Sequence, residues 1–317
     1  MPQSAPLQRL PYDAPREAFI AALEKDGCVI IQNFTTSDKL AQAKAQVQPY
    51  LDAEAKGSKV GAPSANAIIR TCVALEGKTK TCTRLIGRST TVREDFFSDP
   101  LYQALVEHFL TLRTTCWYGS EPSTTVSPPL LSIAITMDIQ PGTHAQRLHR
   151  DDKNHHARHT ATDTYLYAPD GRSRDVLLGL FVPGTSTTRA NGATRVVPGS
   201  HLWGDERPDF GADGTKGVVD VELEVGEAMV MLGSLYHGGG EYSRMDGKSR
   251  TMHIMFCCTG IHRQEEISFL SYPVEDVKMY SPLVRSLGYK QSEPNLGWVD
   301  LMSILSICWS EDAVSRM

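Results

Sequence analysis

From Leu130 onward the sequence breaks into short apolar runs separated by turn residues, and this limits the fold more than any other feature. Leu131–Ile139, Val176–Val182, Ala193–Val197, Val218–Leu223, Ala228–Leu232 and Arg250–Cys258 each read as a strand. Pro183-Gly184, Asn191-Gly192, Pro198-Gly199, Gly226 and Asp246-Gly247 punctuate them. Short strands at this spacing predict a sandwich or jelly roll. In the first run Ile133, Ile135, Met137 and Ile139 alternate, so they share one face of an extended chain.

The residues before this region read differently. Residues 1–10 form an irregular arm. Asp13 is placed to cap a helix that carries Phe19, Ala22 and Leu23 on one face and stops at Gly27. Cys28 to Phe34 reads as a buried strand, and Ser37 opens a second helix with Leu40, Val47 and Leu51 at helical spacing. Asp99-Pro100 starts a third helix carrying Leu101, Leu105, Phe109 and Leu112. These helices are expected to buttress one sheet, giving a mainly β protein with flanking helices, an α+β class. Residues 52–92 lack any period, since Gly57, Ser58, Gly61, Pro63 and Ser64 interrupt it. They read as a solvated loop or as a lid over a pocket. Leu283–Leu287 reads as a short helix, and the tail after Met302 has no assigned role.

Composition excludes several classes. A formal net charge of −5 leaves no basic footprint for nucleic acid. No apolar run is long enough to cross a bilayer, and Met1-Pro2-Gln3-Ser4-Ala5 lacks the regions of a signal peptide. Seven cysteines, an odd number without a CxxC pair, predict reduced thiols in the cytoplasm rather than a disulfide framework. The expected partners are a small-molecule substrate and a second copy of the chain as a homodimer, with no nucleic acid and no membrane.

The chemistry concentrates at two stretches. His149 and Asp151 are two apart, so on an extended chain an imidazole and a carboxylate face the same space. His237, followed by three glycines, supplies a second imidazole just past a strand. Two histidines and one carboxylate make the facial triad that holds non-haem Fe(II) and leaves positions open. Either histidine alone would be an ordinary loop residue. Arg250 heads the last strand, where a buried guanidinium clamps a carboxylate through two parallel hydrogen bonds and an exposed one does nothing. Thr194 either turns its hydroxyl inward or serves the Asn191-Gly192 bend. His155 and His159 would share a helical face, as zinc ligands can, but Asn154 and Thr160 favour a loop at the pocket rim or surface. Cys257-Cys258 places one thiol on each face of a strand, neither obviously reactive.

Taken together, His149-x-Asp151, Asn191-Gly192-Ala193-Thr194, Pro198-Gly199-Ser200-His201, His237-x-Gly239-Gly240 and Arg250 resemble the phytanoyl-CoA dioxygenase family. Within it, Leu287-Gly288-Tyr289, Pro294-Asn295 and Gly297 resemble the fungal secondary-metabolite branch. The likeness implies a double-stranded β-helix (a cupin-like jelly roll) and a dioxygenase dependent on Fe(II), 2-oxoglutarate and dioxygen. It implies His149, Asp151 and His237 as iron ligands. Arg250 would bind the distal carboxylate of 2-oxoglutarate with Thr194 assisting and Gln146 close by. Arg84 falls where the family has a lid motif. Ile68, Leu85, Met137 and Phe256 are expected to wall an apolar substrate pocket. One oxygenase domain is expected over 1–317, with a helical part at 10–116 packed on a core at 130–260 and a C-terminal segment at 261–317. The branch implies a mostly apolar polycyclic substrate, an alkaloid or meroterpenoid, which is hydroxylated, desaturated, cyclised or converted to an endoperoxide. The rival readings are a cupin-like metal isomerase or 2-oxoglutarate-independent dioxygenase, a non-catalytic module on the same fold, and an acyl-CoA hydroxylase of the phytanoyl-CoA type. Intact Asp151 argues against a halogenase, which needs that position vacated for chloride.

Overall fold

The computed structural model describes residues 7–55, 79–168, 171–289, 291–299 and 302–303. Strand β1 (Arg9–Pro11) leads into helix α1 (Arg16–Asp26), β2 (Cys28–Gln32) and α2 (Ser37–Ala55). Strand β3 (Thr79–Cys82), a helical turn at Leu85–Arg88, a π-helical stretch at Val92–Phe97 and α3 (Pro100–Leu110) follow. The strands that follow are β4 (Leu112–Tyr118), β5 (Glu121–Ser127), β6 (Leu130–Ile139), β7 (Leu177–Pro183), β8 (Thr194–Val196), β9 (Val219–Val221), β10 (Ala228–Leu232), β11 (His237–Gly239) and β12 (Arg250–Cys258), with short helical turns between and after them.

Two sheets face each other. The larger runs β1-β2-β10-β7-β12-β6-β3 and the smaller β11-β8-β9. Between them lies one apolar core, with Ile135, Phe181, Met229, Met252 and Ile254 from the large sheet against Val196 and Val221 from the small one. The opposite face of the large sheet carries a second core. There Ala134, Leu180, Val182, Val230 and Met255 meet Phe19, Leu23, Leu51, Leu105 and Phe109 of the three helices. The alternation of each strand feeds both cores at once, which is why its inner strands read as continuous apolar runs. This is the jelly roll with buttressing helices, an α+β architecture.

The helices stop and start for identifiable reasons. Gly27 closes α1 at φ 77, a left-handed conformation that glycine takes without penalty, and its N–H donates to Leu23 O. Asp99 caps α3 by accepting from the Tyr102 N–H at 2.9 Å, with Pro100 in the first turn. The Tyr102 hydroxyl then crosses to the sheet and donates to Met255 O at 3.1 Å, pinning α3 to β12.

Several expectations need correction. Asp13 caps nothing: α1 begins at Arg16 behind Pro15, whose missing N–H costs nothing at a helix start. The arm is partly ordered, because Arg9–Pro11 pairs parallel with β2. Residues 79–97 are not loop. Thr79–Cys82 adds an edge strand to β6, and the helical turn behind it buries Leu85 and Ile86. Residues 56–78 of the expected lid lie outside the described residues. The β4–β5 hairpin was not anticipated, since its strands are mostly exposed and polar on both faces and show no apolar alternation. A 3-10 helix covers Lys278–Leu283, and residues 284–288 after it are turn rather than helix. The tail beyond 303 is outside the described residues.

Candidate active site

His149 lies beyond β6 in an extended stretch that the rest of the barrel holds by its backbone. The His149 N–H donates to His237 O at 2.9 Å, and the His237 N–H returns to His149 O at 2.9 Å. Two residues on, the N–H groups of Asp151 and Asp152 both donate to Gly233 O, at 2.9 and 3.2 Å. The stretch is thereby strapped across β11 and the end of β10. His237 stands opposite Val196 in the β11–β8 register, and Val196 belongs to the core between the sheets. Cross-strand partners share a face, so His237 points into that interior.

The histidine tautomers are set locally. His149 Nδ1 lies 2.8 Å from Arg147 O and His237 Nδ1 lies 3.0 Å from Leu235 O. A carbonyl only accepts, so each Nδ1 carries hydrogen and each neutral ring presents its Nε2 lone pair. His149 Nε2 is 3.3 Å from Asp151 Oδ1, and His237 Nε2 is 3.2 Å from Asp151 Oδ2. Lone pairs this close to a carboxylate repel unless a cation sits among them, either protons on the rings or a metal. All three ligand atoms lie within 4.8 Å of one another. Two imidazoles and one carboxylate at one face are the donor set of non-haem Fe(II), so the residues fit that metal. Burial acts to raise the Asp151 carboxyl, but His237 and His149 beside it outweigh burial and hold it well below the usual carboxylate range. Burial likewise opposes the charged form of His237, and Asp151 more than offsets it, so that imidazole is raised.

Arg150, between the two ligands, points to the opposite side. Its guanidinium donates to four backbone carbonyls: Ser234 at 2.8 Å, Gly204 at 3.1 Å, Ser200 at 2.9 Å and Trp203 at 2.9 Å. It also lies over the Tyr236 ring, 4.5 Å from the centroid. Nothing in the sequence distinguished this arginine from a surface one.

The expected cosubstrate residues converge on the same interior. Arg250 is 4% exposed and its Nε donates to Asn191 O at 3.0 Å. Among the described residues no carboxylate comes within ion-pair distance of it, and burial lowers its pKa to about 10. Thr194 is buried and shares the inward parity of Val196, two residues along β8. Gln146 Oε1 accepts the Gly239 N–H at 2.7 Å, and the Gln146 N–H donates to Gly239 O at 2.9 Å, so this side chain also fixes the strand after His237. The glycines beside it permit a close approach. A Cβ on Gly240 would stand 2.6 Å from Ala193 O, and Gly192 sits at φ 80.

The remaining residues separate. Phe256 belongs to the core between the sheets, and Met137 packs against it. Leu85 is a correction: it is buried in the helix-side core, across the large sheet from the triad. Arg84 is exposed, with Nε and Nη2 donating to Ser271 O at 2.9 and 2.7 Å, which ties it to the C-terminal segment. Ile68 lies outside the described residues. His155 Nε2 is at Arg263 O (3.2 Å), while His159 Nε2 is at Asp152 Oδ2 (2.9 Å), so the two serve different partners. Among the described residues, the triad is the only group of three such side chains placed to share a metal.

The sequence profile of the phytanoyl-CoA dioxygenase family (PhyH) matches residues 23–247. The chain belongs to the phytanoyl-CoA dioxygenase family. It is therefore a non-haem iron, 2-oxoglutarate-dependent dioxygenase, and the triad is the candidate iron centre. Among its relatives is the dioxygenase himG of Aspergillus japonicus, 33% identical over 289 residues, which are 88% of this chain and 83% of the relative. The dioxygenase swnH1 of Metarhizium robertsii is 31% identical over 298 residues, 94% of this chain and 90% of that one. The fold is shared with HygX of Streptomyces hygroscopicus, solved with nickel, 2-oxoglutarate and hygromycin B. That match has a TM-score of 0.55 at 12% identity and covers 78% of this chain and 88% of HygX. No helix among the described residues is long and apolar enough to cross a membrane.

Replacing Arg150 with Met strips the donors from four carbonyls that brace the His149–Asp151 stretch. The expected cost is at least about 3 kcal/mol of stability, with weaker metal binding alongside. Denaturant unfolding and a calorimetric metal titration measure the two. Unchanged values in both would show that the backbone strap holds the ligands unaided.

Proposed function

We propose that this dioxygenase oxidises an unactivated carbon of a mostly apolar, polycyclic small molecule in fungal secondary metabolism, of the alkaloid or meroterpenoid kind. The observation that carries this reading is the pairing of two features in one interior. The triad offers its three ligand atoms, and Arg250 offers a buried guanidinium that, among the described residues, lacks a carboxylate. In this reading His149, Asp151 and His237 hold the iron. Arg250 takes the distal carboxylate of 2-oxoglutarate, Thr194 adds a hydroxyl, and Gln146 sits beside them. Bound iron supplies dioxygen activation coupled to decarboxylation of 2-oxoglutarate, giving succinate, carbon dioxide and oxidising power sufficient for a C–H bond.

The protein's part is to ligate, orient and exclude water. Ile135, Phe181 and Ile254 make the interior apolar, which suits a ring system with few polar anchors. The outcome among hydroxylation, desaturation, ring closure and endoperoxide formation follows from where the substrate radical is held. The reading takes the chain as one oxygenase domain, supported by a single helix-side core that joins Phe19 to Tyr289. It places the enzyme in the cytoplasm, in keeping with free thiols at Cys28, Cys116, Cys257 and Cys258 among the described residues.

Anaerobic Fe(II) with 2-oxoglutarate is expected to give a weak visible charge-transfer band. His149→Ala, Asp151→Ala and His237→Ala are each expected to abolish the band and turnover while circular dichroism stays native. A full band and wild-type turnover in any of the three removes that residue from the iron.

Arg250→Ala is expected to raise the 2-oxoglutarate requirement roughly tens to thousands of fold, because truncating one side of a buried charge pair costs about 2–5 kcal/mol. The substrate requirement should change far less. Steady-state kinetics with each reactant varied separates the two effects. An unchanged 2-oxoglutarate affinity would move the clamp elsewhere.

Succinate release is the test of the substrate class. Polycyclic fungal metabolites are expected to couple decarboxylation to an oxidised product, and phytanoyl-type CoA esters are not. Stoichiometric succinate with an oxidised CoA ester would replace the proposal with an acyl-CoA hydroxylase.

A further inference from the structure

The segment after β12 brings a carboxylate back toward the triad. Across one rim of the barrel, Asp151 N–H bonds Gly233 O, Gly233 N–H bonds Leu177 O, and Leu177 pairs with Cys258, which pairs with Leu130. Glu265 stands at this rim. Its Oε1 accepts from the Ser132 hydroxyl at 3.3 Å and its Oε2 from Asn154 Nδ2 at 3.2 Å. Asn154 in turn donates its backbone N–H to Asp151 O at 3.1 Å. Arg250 lies at the other end of β12, opposite Ile139, so Glu265 and the cosubstrate clamp lie toward opposite ends of that strand.

Three properties set this carboxylate apart. Both of its hydrogen bonds are long and come from neutral donors. Among the described residues no lysine or arginine reaches ion-pair distance: Lys153 Nζ is taken by Arg150 O at 3.0 Å, and His155 Nε2 faces Arg263 O. Glu265 is open to solvent, yet neighbouring atoms crowd it so that burial, with the Asp151 charge second, pushes its carboxyl up to about 7. The larger cause, burial, does not depend on whether a metal offsets Asp151. A carboxyl in such a place is held in its charged form by a cation set beside it.

We propose that Glu265, fixed by Ser132 and Asn154 on the rim beside Asp151, anchors a protonated amine of the substrate, which makes that substrate a polycyclic compound with a basic nitrogen. This rests on the dioxygenase reading above and narrows its substrate class. The carboxylate supplies the directional contact that an apolar interior cannot, and it would hold the ring system with one edge toward the triad.

The probes are quinolizidine, a bicyclic amine protonated at neutral pH, and decalin, its uncharged carbocyclic counterpart. Binding is read twice: by perturbation of the charge-transfer band of the anaerobic Fe(II)–2-oxoglutarate enzyme, and by calorimetry on metal-free protein. Quinolizidine is expected to bind the wild type more tightly than decalin. Glu265→Gln should weaken quinolizidine roughly 10- to 100-fold, the size of one charge-assisted hydrogen bond, and leave decalin within about twofold. Equal binding of the two probes, or an amine affinity that Glu265→Gln does not alter, overturns the proposal. Failure of the charge-transfer band to form counts against the iron reading alone, because the calorimetric comparison of wild type and Glu265→Gln still decides the amine anchor.

Discussion

The site depends on the reciprocal pair of backbone hydrogen bonds between His149 and His237. Those bonds bring together two segments distant in sequence and fix which way each imidazole faces. A ligand on a loop would wander by more than a metal tolerates. Here the loop after β6 is converted into a local strand by pairing with β11, and Gly233 anchors its far end. The glycines after His237 are part of the same arrangement, because a side chain on Gly240 would press against Ala193 O.

Two buried arginines show how context sets function for one residue type. Arg150 has every face of its guanidinium engaged, by four carbonyls and an aromatic ring, and so it is a brace. Arg250 is buried as deeply but donates only from Nε among the described residues. The two nitrogens at the end of its fork are the ones that match a carboxylate. A guanidinium left this way is costly in the folded enzyme alone, and that cost is the expected mark of a group kept for a ligand.

The barrel interior is polar at its two ends and apolar between them. Arg250 and Thr194 mark one end, Asp151 the other, and Ile135, Phe181 and Ile254 lie in the stretch that joins them. The helices contribute nothing to this chemistry directly. Their core on the far side of the large sheet buries strand faces that would otherwise be exposed, and Tyr102 ties α3 to β12.

The sequence by itself determined the strands of the barrel, because alternation and glycine–proline punctuation are local signals. Ala228–Leu232 and Arg250–Cys258 have the predicted bounds, and His149, Asp151, His237, Thr194 and Arg250 were legible as an ordered motif series. It misplaced Leu85, since an apolar residue carries no mark of which side of a sheet it will take. It passed over the β4–β5 hairpin, whose polar strands have no period to read, and over Arg150 and Glu265. Those two were decided only by tertiary structure. A buried arginine and a surface arginine are identical in sequence, and what separates them is four carbonyls drawn from residues 200–234. Glu265 is likewise an ordinary acid until the return of the chain after β12 sets it against Ser132 and Asn154, because solvation and partners are properties of the folded surroundings and not of the residue.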